Sequence, residues 1–566
     1  MSDRKLILHY ANWIVIGLMA ISLPVSKFTF SMFQFFLAGL FILDGIKYDD
    51  CNNFFRQPTT FRKGLQAIPF IVWISIKAIV VKVRNMPDKK AFLVFVLLYL
   101  LHLVAVLYSD NFSRALTELR VKLPLILIPL FFSSIKTGSH KWKEVVLLLF
   151  VVATIVSTFF GMVNFVADTQ ADIRSLSPFI HHINFSVFIA FSIFVLMVHP
   201  FDHVSTIPGF SVYTRLAAIW LFLFQMLIIK SLTGVIVLFA GVLTLFLFPE
   251  LFRLTIRPLY SRAVAFLLLF GIIGYTGFSV FRYYNAVETI HIDSLEQATS
   301  RGNPYSHLLE ESMLENGHMV FIYIADQELK EAWHDRSKYD YEGKDDRGHD
   351  LRYTLYRYMT SLGLRKDADG LDSLSDVDIR LVESGLTNHI FTRRYSLYPR
   401  IYQTIWEYDQ FRETGNFHEK SFIQRLTSIQ IGIEVAKENL LFGVGTGDVV
   451  DAYRAKYHEN YDLRLLDVSD NELITGANQW LNLIVAFGIV GFLVALFAIF
   501  YPPYISGTFH IPLFVLFLVV SSTAMFGEEM LRFQTGLGFF AFFYSFFVFL
   551  KPETSDQQPN TTRNAM

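Results

Sequence analysis

Apolar and polar positions along this chain fall into long blocks rather than short alternations. Most of the apolar blocks have about the length, roughly 20 residues, that a helix needs to cross a bilayer. Because lipid offers the backbone no hydrogen-bond partner, such blocks predict helices. The twelve predicted spans are 7–25, 29–46, 91–108, 122–135, 144–166, 181–198, 214–230, 232–249, 262–281, 479–501, 509–526 and 534–550. The pattern therefore predicts an all-α polytopic membrane protein.

The polar intervals between these spans are short, with a few exceptions. Segment 65–83 is apolar but contains Lys77 and Lys82, so it predicts an interfacial helix, with a thirteenth span as the alternative. The first span lacks a small-residue cleavage site, and we expect it to be retained. The longest interval, 282–478, predicts a large, mostly helical domain, and the tail 551–566 is predicted to be disordered.

Composition supports this class of protein. Hydrophobic residues make up 53% of the 566 residues and charged residues only 17%, which excludes an ordinary soluble protein of this size. The single cysteine, Cys51, excludes an intrachain disulfide. The domain 282–478 must therefore hold its shape by packing and hydrogen bonds.

Charge predicts the orientation of the spans. Block 282–478 contains 34 acidic and 22 basic residues, net −12, whereas the rest of the chain has 16 acidic and 27 basic residues, net +11. Basic residues concentrate in loop 47–90, and the positive-inside rule then places that loop and both termini in the cytoplasm. The large block is predicted to face outward, which means the periplasm in a Gram-negative cell.

An enzyme working at the outer face lacks nucleotide sugars, so its donor must arrive already activated, and we expect it to be carried on a lipid. A lipid diphosphate would need cationic partners at the outer headgroup level. The candidates by predicted position are Arg114, Arg120, Lys122, Arg174, Lys230 and Arg282. His181 and His182 are candidate general bases. The alternatives are that the cations snorkel to lipid phosphates and that the histidines cap a helix.

Three patterns stand out inside the large block. Segment 421–438 has the periodicity of an amphipathic helix, with Arg425 beside the apolar stripe, and 376–384 predicts a helix capped by Ser375 and ended by Gly385. Segment 395–408 is rich in tyrosine, tryptophan and arginine, which suits either a sugar-binding surface or interior packing. Segment 367–372 lacks calcium-loop spacing and predicts a turn, and no zinc-ligand spacing occurs.

Two motifs close the block. Segment 438–448 reads ENLLFGVGTGD, and segments 477–481 and 487–491 read ANQWL and FGIVG. The glycine-rich stretch follows a predicted helix and lacks the lysine of a P-loop, so it predicts a tight turn whose N–H groups could meet an anion. With Arg425 and the hydropathy pattern, these segments resemble the O-antigen ligase/polymerase superfamily of bacterial membrane glycosyltransferases over nearly the whole chain.

The resemblance implies a GT-C-like fold and a donor glycan on undecaprenyl diphosphate, with no metal and no cofactor. The acceptor would be lipid A–core or a growing glycan, in the bacterial inner membrane, and nucleic acid would play no part. Arg425 would contact the diphosphate. The substrate-binding residues predicted by charge or by these motifs are Arg120, Lys122, Arg174, Gln479, Gly445 and Asp448.

The chain departs from the family pattern at two positions. Ala477 stands where the family carries the histidine that positions or deprotonates the acceptor, directly before Asn478, and segment 231–234, SLTG, lacks the family's arginine. Ala477 indicates either an engineered substitution, which we favour, or a natural loss. In the second case His181 or His182 would substitute, or catalysis would be lost.

Three functions remain open from the sequence. The favoured one is an O-antigen ligase; the second is a repeat-unit polymerase or a protein O-oligosaccharyltransferase of the same superfamily. The third is a catalytically dead binder or a transporter of lipid-linked glycans. Transporters usually show internal repeats and intramembrane charges, whereas the predicted spans of this chain are nearly free of charge and its sequence shows no internal repeat.

Overall fold

The structure is a computed structural model. It describes residues 3–45, 72–73, 75–77, 79–84, 86, 88–135, 140–167, 176–199, 201–204, 209–252, 258–287, 295–310, 313–393, 395–418, 420–466 and 468–550. The chain divides into two compact units, Met1–Phe266 with Phe417–Met566, and Leu267–Asn416. Segment 417–478, expected to belong to the polar domain, thus packs with the apolar helices instead.

The described chain is mostly helical. The helices before the second unit are α1 (Asp3–Ser22), α2 (Lys27–Gly45), α3 (Lys89–Ala105), α4 (Phe112–Lys122), α5 (Pro124–Ser134), α6 (His140–Ala167), α7 (His182–Val198), α8 (Phe210–Leu223), α9 (Leu232–Leu247) and α10 (Pro249–Phe252). Then follow α11 (Pro258–Asn285), β1 (Leu314–Glu315), β2 (His318–Met319), α12 (Asp326–Arg336), α13 (Leu351–Ser361), α14 (Ala368–Asp372), α15 (Asp376–Glu383) and α16 (Tyr398–Thr414). The last helices are α17 (Ser421–Glu438), α18 (Val449–Asn460), α19 (Gln479–Ile505), α20 (Pro512–Gly527) and α21 (Gln534–Val548).

Each of the twelve predicted apolar segments coincides with a helix. Among the described residues, six helical segments are long and apolar enough to cross a membrane, and α7, α9, α20 and α21 are shorter apolar helices. This composition, with almost no strand, is that of an all-α membrane protein. The predicted interfacial helix is helical where it is described, between 72 and 84, and Lys82 pairs with Asp44 of α2. Its remaining residues, loop 47–71 with Cys51, and the tail 551–566 lie outside the described residues.

Two helices occupy the centre of the first unit. All residues from Ile183 to Leu196 in α7 and from Gly536 to Val548 in α21 are buried. Phenylalanine rings join them: Phe188 stacks on Phe539 with centroids 4.5 Å apart. A helix that is apolar around its whole circumference is stable only when it is surrounded by other helices or lipid.

The second unit has its own small core, built on Trp333, Tyr358 and their neighbours. Helix α15 begins as predicted, because the Ser375 side chain accepts the Asp378 N–H in a capping box, and Gly385 follows its end at φ 84°. Segment 367–372, expected to be a turn, forms the single-turn helix α14 with Asp367 as its N-cap.

Candidate active-site cleft

Helix α19 is interrupted at Gly488, whose backbone has φ 64° and ψ −172°. The turn that follows α17 runs along this break and forms hydrogen bonds with backbone groups that lack helical partners. The Val444 N–H donates to Val485 O at 2.9 Å, and the Ile489 N–H donates to Leu440 O at 2.8 Å. Irregular backbone in an apolar helix is tolerated when protein groups satisfy it in this way.

The two glycine-containing motifs are therefore partners in one structure. A Cβ atom at Gly443 would lie 2.4 Å from Phe487 N, and one at Gly488 would lie 2.2 Å from the Leu441 carbonyl carbon. Neither position has room for a side chain, since two backbones touch there. Gly445 also belongs to this contact, because its N–H donates to the Ala486 carbonyl at 3.0 Å.

Asp448, at the end of the glycine-rich turn, anchors the start of helix α4. Its carboxylate accepts the Asp110 N–H at 2.8 Å and the Asn111 N–H at 2.7 Å. Asp451, one turn into α18, accepts the Asn111 side-chain amide and pairs with Arg114 at 2.5 Å. The turn thus fixes α4 relative to the break in α19.

Helix α4 presents charge along one face. Arg114, Glu118 and Lys122 recur at four-residue spacing, so they lie on the same side of the helix. Lys122 is 3% exposed and pairs with Glu118 at 3.2 Å. Arg120 projects from another face of the helix and is exposed. Of the two cations expected to help Arg425, only Lys122 is buried.

These elements enclose a cleft of about 500 Å³, counting space open to solvent. Its lining residues are His102, Arg114, Glu118, Lys122, Thr446, Val449, Val450, Gln479, Asn482, Leu483, Ala486, Phe487 and Arg532. The lining holds three cationic side chains and one carboxylate. The space inside the cleft that a water-sized group can occupy is only about 40 Å³, room for a few waters, so the cleft must widen to admit a larger ligand.

Two buried polar atoms of the cleft lack partners. His102 Nδ1 and Asn482 Oδ1 have no hydrogen-bond partner within the described part of the chain. The His102 ring is fixed edge-on against Phe487, with centroids 4.8 Å apart. Buried polar atoms are nearly always hydrogen-bonded, so two orphans in one cleft indicate room for a polar ligand or water.

The loop between α20 and α21 closes the cleft with a dense polar network. Glu529, 2% exposed, accepts a hydrogen bond from the Asn482 amide and pairs with Arg532 at 2.5 Å. The Arg532 guanidinium also donates to Thr475 O at 2.9 Å, and the Gln479 side chain accepts the Leu531 N–H at 2.8 Å. Gln479, predicted as a substrate contact, lines the cleft and also holds this loop.

Arg425 contacts the same loop at its other end. Its Nη1 donates to Gly527 O at 2.6 Å and pairs with the Glu528 carboxylate at 3.1 Å. The predicted helix around it is confirmed, since α17 covers 421–438. The predicted apolar stripe is buried only in part: Ala436 is buried, whereas Leu426 and Ile433 are exposed. Ile423, Ile431 and Val435, which lie outside that stripe, are buried.

Ala477 is buried beside this network. A Cβ atom at the preceding Gly476 would lie 2.4 Å from Glu529 Oε1, so the Glu529 carboxylate touches the backbone next to position 477. Burial raises the pKa of Glu529 to about 7, against the opposing effect of Arg532. Asn478 caps α19, because its side chain accepts the Leu481 N–H at 3.0 Å.

The remaining predicted site residues are distributed as follows. His181 precedes α7 and His182 begins it, with ring centroids 4.4 Å apart. Arg174 lies outside the described residues.

Sequence reasoning missed Glu529, Arg532, Asn482 and His102. A signal for the first two existed, because GEEMLR, 527–532, places three charges between two apolar segments. His102 and Asn482 each sit alone within an apolar helix, and only the fold brings them together.

Among the described residues, no group of three or more histidine, cysteine or acidic side chains is arranged to hold a metal ion. No family model and no curated protein matches this chain.

Proposed function

We propose that this chain is a membrane glycosyltransferase that takes its glycan from a lipid diphosphate and binds the diphosphate in the cleft beside the α19 break. The observation that carries the proposal is the convergence of Arg114, Lys122 and Arg532 on one cleft that also holds two orphaned polar atoms. A diphosphate is a ligand that needs several cations where water is scarce.

The transfer would proceed as one displacement. An acceptor hydroxyl oxygen forms a bond to the anomeric carbon while the bond from that carbon to the diphosphate oxygen breaks. The electron pair leaves with the undecaprenyl diphosphate, and the hydroxyl proton passes to a base. The three cleft cations stabilise the negative charge that grows on the leaving group, and such electrostatic stabilisation is commonly the largest contribution to catalysis.

We propose Glu529 as the base that accepts the proton of the acceptor hydroxyl. Its carboxylate touches Gly476, directly before the residue where related enzymes carry histidine, and it is joined to the cleft through Asn482 and Arg532. A base works best when its pKa is near the working pH, and burial raises that of Glu529 to about 7. His181 and His182 are the alternative bases.

The finer proposals follow from the sequence. Twelve spans in the bacterial inner membrane, with both termini in the cytoplasm, would put the cleft at the periplasmic face. The acceptor we propose is lipid A–core, which makes the chain an O-antigen ligase; a growing glycan or a protein would make it a polymerase or an O-oligosaccharyltransferase. A binder without catalysis is the second candidate, favoured by Ala477.

The test is transfer by the purified protein in nanodiscs, with an undecaprenyl diphosphate-linked glycan and lipid A–core. Lys122→Met combined with Glu118→Gln removes one cation and its paired acid, so that no buried charge is left alone. We expect this variant to lose transfer by about 10²-fold or more. Arg120→Met, an exposed cation on the same helix, is the matched control and should stay active. Equal activity of the two variants would remove the cleft from the proposal.

The acceptor is tested in cells that lack their own ligase but make a suitable donor. Lipopolysaccharide is separated on a gel after expression of this chain or of its Ala477→His variant. A glycan ladder on lipid A–core supports the ligase. If neither chain gives a ladder although both are inserted, the polymerase is favoured. If the purified protein binds undecaprenyl diphosphate yet transfers to no acceptor, the chain is a binder.

A further inference from the structure

The second unit contains a polar cleft of its own, of about 590 Å³ with its open space included. The end of α11, the β1–β2 turn, the end of α13 and the start of α16 contribute to it. Its lining residues are Arg282, Tyr283, Ala286, Asn316, Ser361, His389, Ile390, Arg393, Tyr398 and Tyr402. Tyr398 and Tyr402 belong to the aromatic segment 395–408, which was predicted to form either a sugar-binding surface or interior packing.

The charge of this cleft is positive. Arg282 and Arg393 line it, and within the described part of the chain neither forms an ion pair with a carboxylate. The Arg282 guanidinium lies 5.0 Å from the centre of the Tyr398 ring. Burial raises the pKa of Tyr398, and the positive charges of Arg282 and Arg393 act in the opposite direction.

The floor of the cleft is a rigid, buried network. The Tyr402 hydroxyl accepts the Asn316 N–H at 2.9 Å and donates to the Glu315 carboxylate at 3.1 Å. Arg357 pairs with Glu315 at 2.7 Å, so this acid is already neutralised and leaves the charge of the two lining arginines uncompensated. Asp409, near Tyr283, accepts a hydrogen bond from the Tyr284 hydroxyl at 3.2 Å.

We propose that this cleft binds a saccharide unit carrying a carboxylate or a phosphate. The tyrosine rings offer faces to the C–H side of a sugar, since aromatic rings combine an apolar face with a polar edge. Asn316 and Ser361 keep the floor rigid, because the Asn316 amide donates to the Ser361 carbonyl at 2.7 Å and the Ser361 hydroxyl donates to Tyr358 O at 2.7 Å. The two arginines fit a planar or tetrahedral anion. A lipid headgroup would use the arginines alone and would leave the concave aromatic wall unused.

This inference is independent of the transfer chemistry proposed for the other cleft. Binding is measured by saturation-transfer NMR and titration calorimetry on the full chain in nanodiscs of zwitterionic lipid. The probes are glucuronic acid, glucose 1-phosphate, glucose and inorganic phosphate. We expect one or both anionic sugars to bind at least about tenfold more tightly than glucose or phosphate alone, because ring and charge contacts add.

The variants separate the two kinds of contact. Arg282→Ala with Arg393→Ala should weaken binding of the anionic sugar by about tenfold or more, whereas Arg412→Ala, an exposed arginine of α16, should leave it unchanged. Tyr398→Leu should weaken the sugar probes and spare any binding of phosphate. Thermal unfolding identifies misfolded variants, and Arg393→Lys then replaces the double variant as the milder test.

Three outcomes would overturn the proposal. The first is absence of binding of both anionic sugars to the unaltered chain. The second is unchanged affinity in the folded arginine variants. The third is phosphate binding as tightly as glucose 1-phosphate, or capture only by vesicles of anionic lipid, which would mean that the arginines recognise a headgroup instead.

Discussion

Two lysines, one in each unit, are almost completely buried, yet their surroundings differ. Lys122 is 3% exposed and pairs with the Glu118 carboxylate at 3.2 Å. Lys366 is 2% exposed, and its ammonium group donates to the Thr360 hydroxyl at 3.1 Å. A carboxylate partner favours the charged form of a buried amine, whereas a hydroxyl partner does little to offset the loss of hydration.

The different partners of Lys122 and Lys366 indicate that their two buried environments serve different purposes. Around the α19 break, each ion pair joins a buried group to a half-buried partner: Lys122 pairs with Glu118, and Glu529 pairs with Arg532. Buried ion pairs contribute little net stability compared with apolar packing, so a cluster of them beside a cleft favours a role in binding or chemistry. Lys366 lines neither of the two clefts described above, and it is explained by the packing of its own unit.

The largest effect is expected from changing the backbone at the α19 break, around which the ion pairs of the cleft are arranged. Gly488→Ala puts a side chain at φ 64° and ψ −172°, in contact with the Leu441 backbone. Such strain costs about 1–3 kcal/mol for the backbone alone, and the clash adds to it. We expect loss of monodisperse protein in detergent and loss of transfer.

Gly39→Ala in α2 is the matched control. A Cβ atom there has no neighbour within 4 Å, and alanine favours the helix by up to about 1 kcal/mol. Its thermal stability should stay equal or rise slightly. If Gly488→Ala were as stable and as active as Gly39→Ala, the break would not be needed for the cleft.

A smaller effect is expected from removing the charge of Glu529, one of the acids that pair with the cations of the cleft. Glu529→Gln keeps the side-chain shape and removes the base, so transfer should fall by about 10²-fold. In the unaltered chain the rate should rise with pH through about 7, because the base works only without its proton. The variant should lose that limb of the pH profile.

Adding Ala477→His to Glu529→Gln sharpens this test. Recovery of transfer, with a limb near the pKa of histidine, would mean that positions 477 and 529 serve the same proton. A Glu529→Gln variant with an unchanged pH profile would return the role to His181 or His182.

The sequence predicted what depends on neighbours along the chain. The twelve apolar segments coincide with helices, α17 covers 421–438, and Ser375 caps α15. It did not predict that segment 438–448 lies against Gly488, or that Asn482 contacts Glu529, because these contacts join residues about 45 positions apart. The buried face of α17 was predicted only in part, since the sequence shows which positions are apolar but not which neighbours cover them.

The smallest effect on function is expected from replacing Lys366. This change also tests the comparison of the two buried lysines directly. Burial lowers its pKa from 10.5 to about 7, although Asp367 opposes the shift. Between pH 7 and 10.5 the unfolded chain therefore binds a proton that the folded chain lacks, and the free energy of unfolding should rise with pH there by up to about 1.4 kcal/mol per unit. Below pH 7 both states are protonated, and the contribution is constant.

Lys366→Met removes this dependence. The variant should be more stable than the unaltered chain at pH 7, and its advantage should shrink toward pH 9, as measured by unfolding of the full chain in detergent. Lys122→Met should behave in the opposite way at pH 7, because it leaves the half-buried Glu118 carboxylate without its partner. If both variants gained stability equally, the two lysines would occupy equivalent environments. Burial of the cleft cations would then no longer favour a role in binding or chemistry.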